Sequence, residues 1–239
     1  MELYESIIKN TIDLLSPYAY ASLAVSEKPV WSIGKANELI LKKDSKFELG
    51  GSYKSAVNYQ CITTSEKLVQ KDEILLYGED LTEIKNDVSF ARLVFLHINE
   101  LDGNESTYKI IKDLEFIKYN MNLKGYMMRA STMDRREQVR VAKGAVAGGI
   151  SFENIGNAFI NKYKQNPLVK AVRIIFITSD MPIFKQLMEN ARKIDEITLT
   201  LNHVLSNMNF DCHSCNLKPI CDEVEGMREL HFKSSKANS

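Results

Sequence analysis

The sequence predicts an α+β fold: a mixed sheet with packed helices, followed by a short C-terminal cysteine-rich segment that binds metal. Three observations lead there. Apolar runs at residues 73–77, 91–98 and 171–177 read as strands. Apolar residues at helical spacing lie between and around them, but not in a regular strand–helix–strand rhythm, and no phosphate-binding glycine fingerprint follows a strand. Three of the four cysteines fall together, in Cys212-His-Ser-Cys215 and then Cys221.

Taken in order, residues 2–15 read as a short helix that stops before Pro17. Residues 29–60 carry Gly34, Gly50-Gly51 and Asn58 and read as irregular chain or short strands, with Cys61 near a turn. Glu73-Ile-Leu-Leu-Tyr77 is a strand closed by a turn at Gly78. The run centred on Leu93-Val-Phe-Leu96 is a buried strand. Asp102-Gly103-Asn104 breaks the chain. From Ser106 to Met121, Ile110, Ile111, Leu114, Ile117 and Met121 recur as one face of an amphipathic helix. If residues 138–142 form a strand, Arg140 shares a face with Gln138, opposite Val139 and Val141. Ser151 caps a helix whose inner face is Phe152, Ile155, Phe159 and Tyr163. Residues 171–177 are the clearest strand. Ser179 or Asp180 caps the last helix, with Pro182 in its first turn. That helix runs to about Ser206, with Phe184, Leu187, Met188, Ala191 and Ile194 on one side. The body is thus residues 1–206, and residues 207–239 form the metal-binding segment and tail.

Composition bounds the function. A hydrophobic content of 44% is enough for an ordinary core. Lysine plus arginine equals aspartate plus glutamate, so no net field attracts nucleic acid or an anionic membrane. No apolar run approaches the roughly 18 to 20 residues of a spanning helix. Met1-Glu-Leu-Tyr-Glu5 has no signal-peptide character, so the expected compartment is the cytoplasm. Thiols stay reduced there, and clustered cysteines read as ligands rather than disulfides.

A C-x2-C pair lets one turn of backbone present two thiolates to one soft metal centre, and Cys221 adds a third. A [4Fe–4S] cluster or a tetrahedral zinc site normally takes four ligands. Cys61 is one candidate for the fourth, although a lone cysteine is more often a small buried hydrophobe. His203, His213 and His231 are others, and each favours zinc or an unusual cluster; an open position held by water or substrate completes the set. A second constellation is basic: Arg129, Arg135, Arg136, Arg140 and Lys143. Arginine forks match phosphate oxygens, so this cluster reads either as a phosphate site or as a solvated face paired internally with Asp134 and Glu137. Gly148-Gly149 ahead of a helix reads as a simple turn. No Gly-x-Ser-x-Gly, His-Glu-x-x-His or P-loop pattern occurs.

The order of segments resembles the acetyl-CoA synthase component, the β subunit, of the CO dehydrogenase/acetyl-CoA synthase complex. The resemblance runs through Phe47-Glu-Leu-Gly-Gly51, Lys71-Asp-Glu-Ile74 and Tyr77-Gly-Glu-Asp-Leu81. It continues through residues 108–124 and the basic segment ending Val139-Arg-Val-Ala-Lys143. Gly149-Ile-Ser-Phe-Glu-Asn-Ile-Gly156, residues 167–178 and Phe210-Asp-Cys-His-Ser-Cys215 complete it. The resemblance implies a body like the family's central region, with Arg129, Arg135, Arg136, Arg140 and Lys143 facing coenzyme A. It also implies that Cys212 and Cys215 take the first two positions of an A-cluster, with Cys215 the bridging thiolate. CO dehydrogenase or corrinoid protein subunits would be the partners, in an anaerobic setting, and any activity would be acetyl-CoA synthase-like acyl transfer within that complex. The family's Cys-Gly-Cys, which holds the distal nickel, does not occur in these residues. The expectation is therefore a shortened relative with one [4Fe–4S] cluster, no nickel, and coenzyme A or a related anion as ligand. A zinc-stapled docking module is the alternative.

Overall fold

Buried strands organise the molecule. The computed structural model describes residues 2–27, 31–34, 38–51, 53–100, 107–130 and 135–205. β1 (Ala21–Leu23), β3 (Ala56–Thr63), β4 (Glu73–Tyr77), β5 (Phe90–Ile98) and β8 (Val169–Ile177) form one sheet in the order β1-β4-β8-β5-β3. β3/β5 and β4/β8 pair parallel, whereas β1/β4 and β5/β8 pair antiparallel, so the sheet is mixed. Every position of β5 is buried, which is why its sequence does not alternate and is apolar apart from Arg92 and His97.

β2 (Ser45–Leu49), β6 (Tyr126–Ala130) and β7 (Glu137–Ala142) form a second, antiparallel sheet in the order β2-β7-β6. β7 alternates strictly, with Glu137, Val139 and Val141 buried and Gln138 and Arg140 on the other face. The two sheets are stitched where Gly50 N–H donates to the Val88 carbonyl and Val88 N–H to the Glu48 carbonyl. Gly50 has φ +63°, and a Cβ there would lie 2.6 Å from the Glu137 carbonyl oxygen. Only glycine lets β2 pass that close to β7.

The helices cover both faces of the larger sheet. Tyr59 and Gln60 are neighbours in β3 and so point to opposite faces. The Tyr59 hydroxyl meets Thr11 of α1 (Glu2–Leu15), while Gln60 accepts from the Tyr163 hydroxyl of α4 (Phe152–Tyr163). α5 (Phe184–Leu205) packs with α1 on the Tyr59 face and against α2 (Thr107–Phe116). A five-residue α3, Lys143–Ala147, follows β7 directly.

Each helix follows from its apolar spacing. α1 buries Tyr4, Ile7, Ile8 and Leu15, and it stops at Ser16 before Pro17. Ser151 caps α4 as expected, its hydroxyl accepting from Asn154 N–H, and Phe152, Ile155, Phe159 and Tyr163 are all buried. Gly156 lets α4 approach β4, because a Cβ there would lie 2.8 Å from Ile74.

Four local expectations change. The helix expected to reach Met121 ends at Phe116 and tightens into a 3-10 turn over Ile117–Asn120, with Ile110, Ile111, Leu114 and Met121 still buried. α5 begins at Phe184, leaving Pro182 ahead of the helix. Asp180 does not act as its cap: the carboxylate accepts from the Ser89 hydroxyl and from Lys54 Nζ. Met188 lies on the solvent side, although Phe184, Leu187, Ala191 and Ile194 face inward. The sequence-based break at residues 102–104 lies outside the described residues.

Candidate functional site

Cys61 lies not at a turn but inside β3, with no exposed surface. It shares the Tyr59 side of the strand, under α1 and α5. Burial pushes its thiol far above the usual range, and nearby Arg135 offsets this only in part. A buried neutral thiol behaves as a small hydrophobe. Cys212, Cys215 and Cys221, with His213 and His231, lie outside the described residues, and His203 is placed only as part of the α5 backbone. Among the described residues no group of three His, Cys, Asp or Glu side chains could hold a metal ion.

The basic residues hold separate partners. Arg135 is buried and bridges Glu115 of α2 and Asp195 of α5. Its backbone carbonyl accepts from Asn58 N–H, at the edge of the sheet formed by β3, and from the Asn58 amide. Arg136 donates to the carbonyls of Gly50 and Lys54. Arg140 pairs with Glu48 across the β2/β7 ladder and donates to the Ile40 carbonyl. Lys143 donates to the Lys43 carbonyl. Arg129, exposed on β6, makes no ion pair among the described residues. The internal acids that neutralise Arg135 and Arg140 are thus Glu115, Asp195 and Glu48. Glu137 serves a different arginine, and Asp134 lies outside the described residues.

That arginine is Arg92, at the centre of the core. Its guanidinium grips the Glu137 carboxylate through two nitrogens, with Nε at 2.9 Å, and both side chains are almost completely buried. The guanidinium also lies 4.6 Å from the centroid of the Phe159 ring. Lys118 completes the polar interior, 3.1 Å from Asn58 Oδ1 and 3.6 Å from Glu115. Burial lowers Lys118 to about 8, against the pull of Glu115. Burial would raise Glu115, but Arg135, Lys118 and Lys112 outweigh it and hold the carboxyl below its usual range. Lys118 has almost no exposed surface, and its amine, still mostly protonated at neutral pH, braces Asn58 and Glu115.

Sequence reasoning missed this network, although two signals pointed to it. Arg92 sits within the apolar run of β5, and Glu137 has the same parity as inward-facing Val139 and Val141. A buried charge requires a partner, and these two supply each other's.

On the surface, a groove of about 420 Å³ is lined by Trp31, Ser32, Glu38, Lys124, Gly125 and Gly144, among others. Trp31 is held there by its indole N–H to the Lys124 carbonyl, and Gly125 N–H donates to Glu38. None of Arg129, Arg135, Arg136, Arg140 and Lys143 lines it. No helix among the described residues is long and apolar enough to cross a membrane.

The search of curated proteins found no match for the chain. The family model described as the CO dehydrogenase/acetyl-CoA synthase complex beta subunit matches residues 31–183, from Trp31 to the residue before α5. That span holds both sheets apart from β1, the arginines at 129–140 and the buried Arg92–Glu137 pair, and it ends ahead of the clustered cysteines. The chain therefore belongs to the CO dehydrogenase/acetyl-CoA synthase complex beta subunit family.

Proposed function

We propose that this chain is an iron–sulfur member of the family. Cys212, Cys215 and Cys221 hold one [4Fe–4S] cluster in a C-terminal unit of residues 207–239, appended to an α+β body of residues 1–206. The observation that carries the reading is the C-x2-C-x5-C spacing, which brings three thiolates to one soft metal centre. These cysteines follow α5, whose last described residue is Leu205. The site is placed in a reducing, cytoplasmic and anaerobic setting, where thiolates and clusters persist. CO dehydrogenase subunits are the proposed partners, which the family's description supports, and corrinoid protein subunits are proposed beside them.

The fourth iron takes a donor other than Cys61, such as water, a bound thiol or His213. A cluster on Cys61 would have to displace the helices packed over β3, and burial keeps that thiol protonated. No Cys-Gly-Cys occurs in these 239 residues, so the proposal for this stretch is cluster binding without nickel rather than acetyl transfer. For coenzyme A or a related phosphate ligand, exposed Arg129 is the cation proposed to make contact. Arg135 and Arg140 already answer to carboxylates.

Single substitutions separate these assignments. Cys215→Ser is expected to lose at least half of the bound iron, whereas Cys61→Ser keeps it. Iron retained in Cys215→Ser and lost in Cys61→Ser would reverse the ligand assignment. Coenzyme A affinity, measured by calorimetry, is expected to fall about tenfold in Arg129→Glu, roughly the effect of one charge-assisted contact. Unchanged affinity returns Arg129 to the solvated surface.

A further inference from the structure

Trp31, the single tryptophan of the chain, is held at two points of its ring. Its indole N–H donates to the Lys124 carbonyl, and its six-membered ring lies against Gly148, where a Cβ would stand 3.3 Å from it. The side chain is only half-buried, so a fixed aromatic surface lines the groove of about 420 Å³. That volume falls within the ordinary range of small-molecule sites.

Two opposite charges line the same groove without meeting. Glu38 Oε2 accepts the Gly125 N–H at 3.0 Å, next along the chain from Lys124. Among the described residues the other Glu38 oxygen accepts no hydrogen bond, and the Lys124 amine has neither Glu38 nor any other acid as partner. Gly144 of α3 is a third lining residue. Its φ is not left-handed, and a Cβ there would meet nothing within 4 Å. Glycine is a poorer helix former than alanine, so neither backbone nor packing accounts for it. Its missing side chain keeps the groove clear at that point.

An anion entering the groove would face Glu38, and a cation would face Lys124. A molecule that carries both charges satisfies both. We propose that this groove binds a zwitterionic α-amino acid with an apolar side chain, its ammonium on the second oxygen of Glu38, its carboxylate on Lys124 and its side chain against Trp31. The site shares no residue with the arginines or the cysteines, so it is independent of the iron–sulfur reading.

Trp31 reports on its own groove, since no other tryptophan emits. Fluorescence of the full chain, excited where only tryptophan absorbs, is titrated with L-phenylalanine, with phenethylamine (ammonium only) and with 3-phenylpropionate (carboxylate only). Phenylalanine is expected to give a saturable change in the millimolar range. Glu38→Gln should weaken phenylalanine and phenethylamine about fivefold, the upper end for one exposed ion pair, and leave phenylpropionate unchanged. Lys124→Met should weaken phenylalanine and phenylpropionate instead. Gly144→Leu should abolish the response by filling the groove while the melting temperature holds. Should that variant not fold, the two exposed charge variants carry the test. A change that never saturates, or phenylalanine affinity that stays at the wild-type value in both charge variants, overturns the proposal.

Discussion

At the residue scale, Arg92 and Glu137 dominate. Each is buried and each is the other's counter-ion, so losing one leaves an uncompensated charge in a low-dielectric interior. Arg92→Met or Glu137→Gln alone is expected to cost about 3–5 kcal/mol in urea denaturation. The double change to Met and Leu should recover most of that loss, because removing both charges also removes both desolvation penalties. Lys118 gives a pH signature. Its folded value, about 8, lies below the ordinary lysine value, so between them the unfolded chain holds a proton that the folded one has released. Stability must then rise with pH across that window. The urea midpoint of wild type is expected to gain on that of Lys118→Met between about pH 8 and pH 10. A constant difference would mean that Lys118 titrates normally.

At the scale of elements, close backbone approaches decide the packing. α4 lies against β4 because Gly156 has no side chain, and Ile74 occupies the space that a Cβ would need. Gly156→Ala is expected to destabilise by about 1–3 kcal/mol through overpacking. Adding Ile74→Val should restore part of that stability, which thermal denaturation of the single and double variants would check. Absence of rescue would place the strain elsewhere. The same scale explains what the sequence made legible. The strands at 73–77, 90–98 and 169–177 and the Ser151 cap were readable because period and capping chemistry are local. β3 was not. Its run from Ala56 to Thr63 mixes Asn58, Tyr59, Gln60 and Cys61 with apolar residues, and distant elements supply the partners of Asn58, Tyr59 and Gln60. The start of α5 was missed for a similar reason, since Asp180 finds Ser89 and Lys54 across the fold instead of a helix terminus. The arginine partners were also non-local: Glu115 and Asp195 lie 20 and 60 positions from Arg135.

At the scale of the whole molecule, the family match covers both sheets apart from β1, and the clustered cysteines follow it in sequence. Within the body, Arg92, Arg135 and Lys118 turn inward and tie helices and sheets together. The proposed function assigns metal chemistry to residues 212–221, the claim on which the account depends. Metal and acid-labile sulfide analysis of the anaerobically purified chain tests it most directly. The account predicts about four iron and four sulfide per chain, with a broad visible band near the cluster's usual absorption and no stoichiometric nickel. One zinc per chain without sulfide would contradict it, and the cysteines would then form a structural staple.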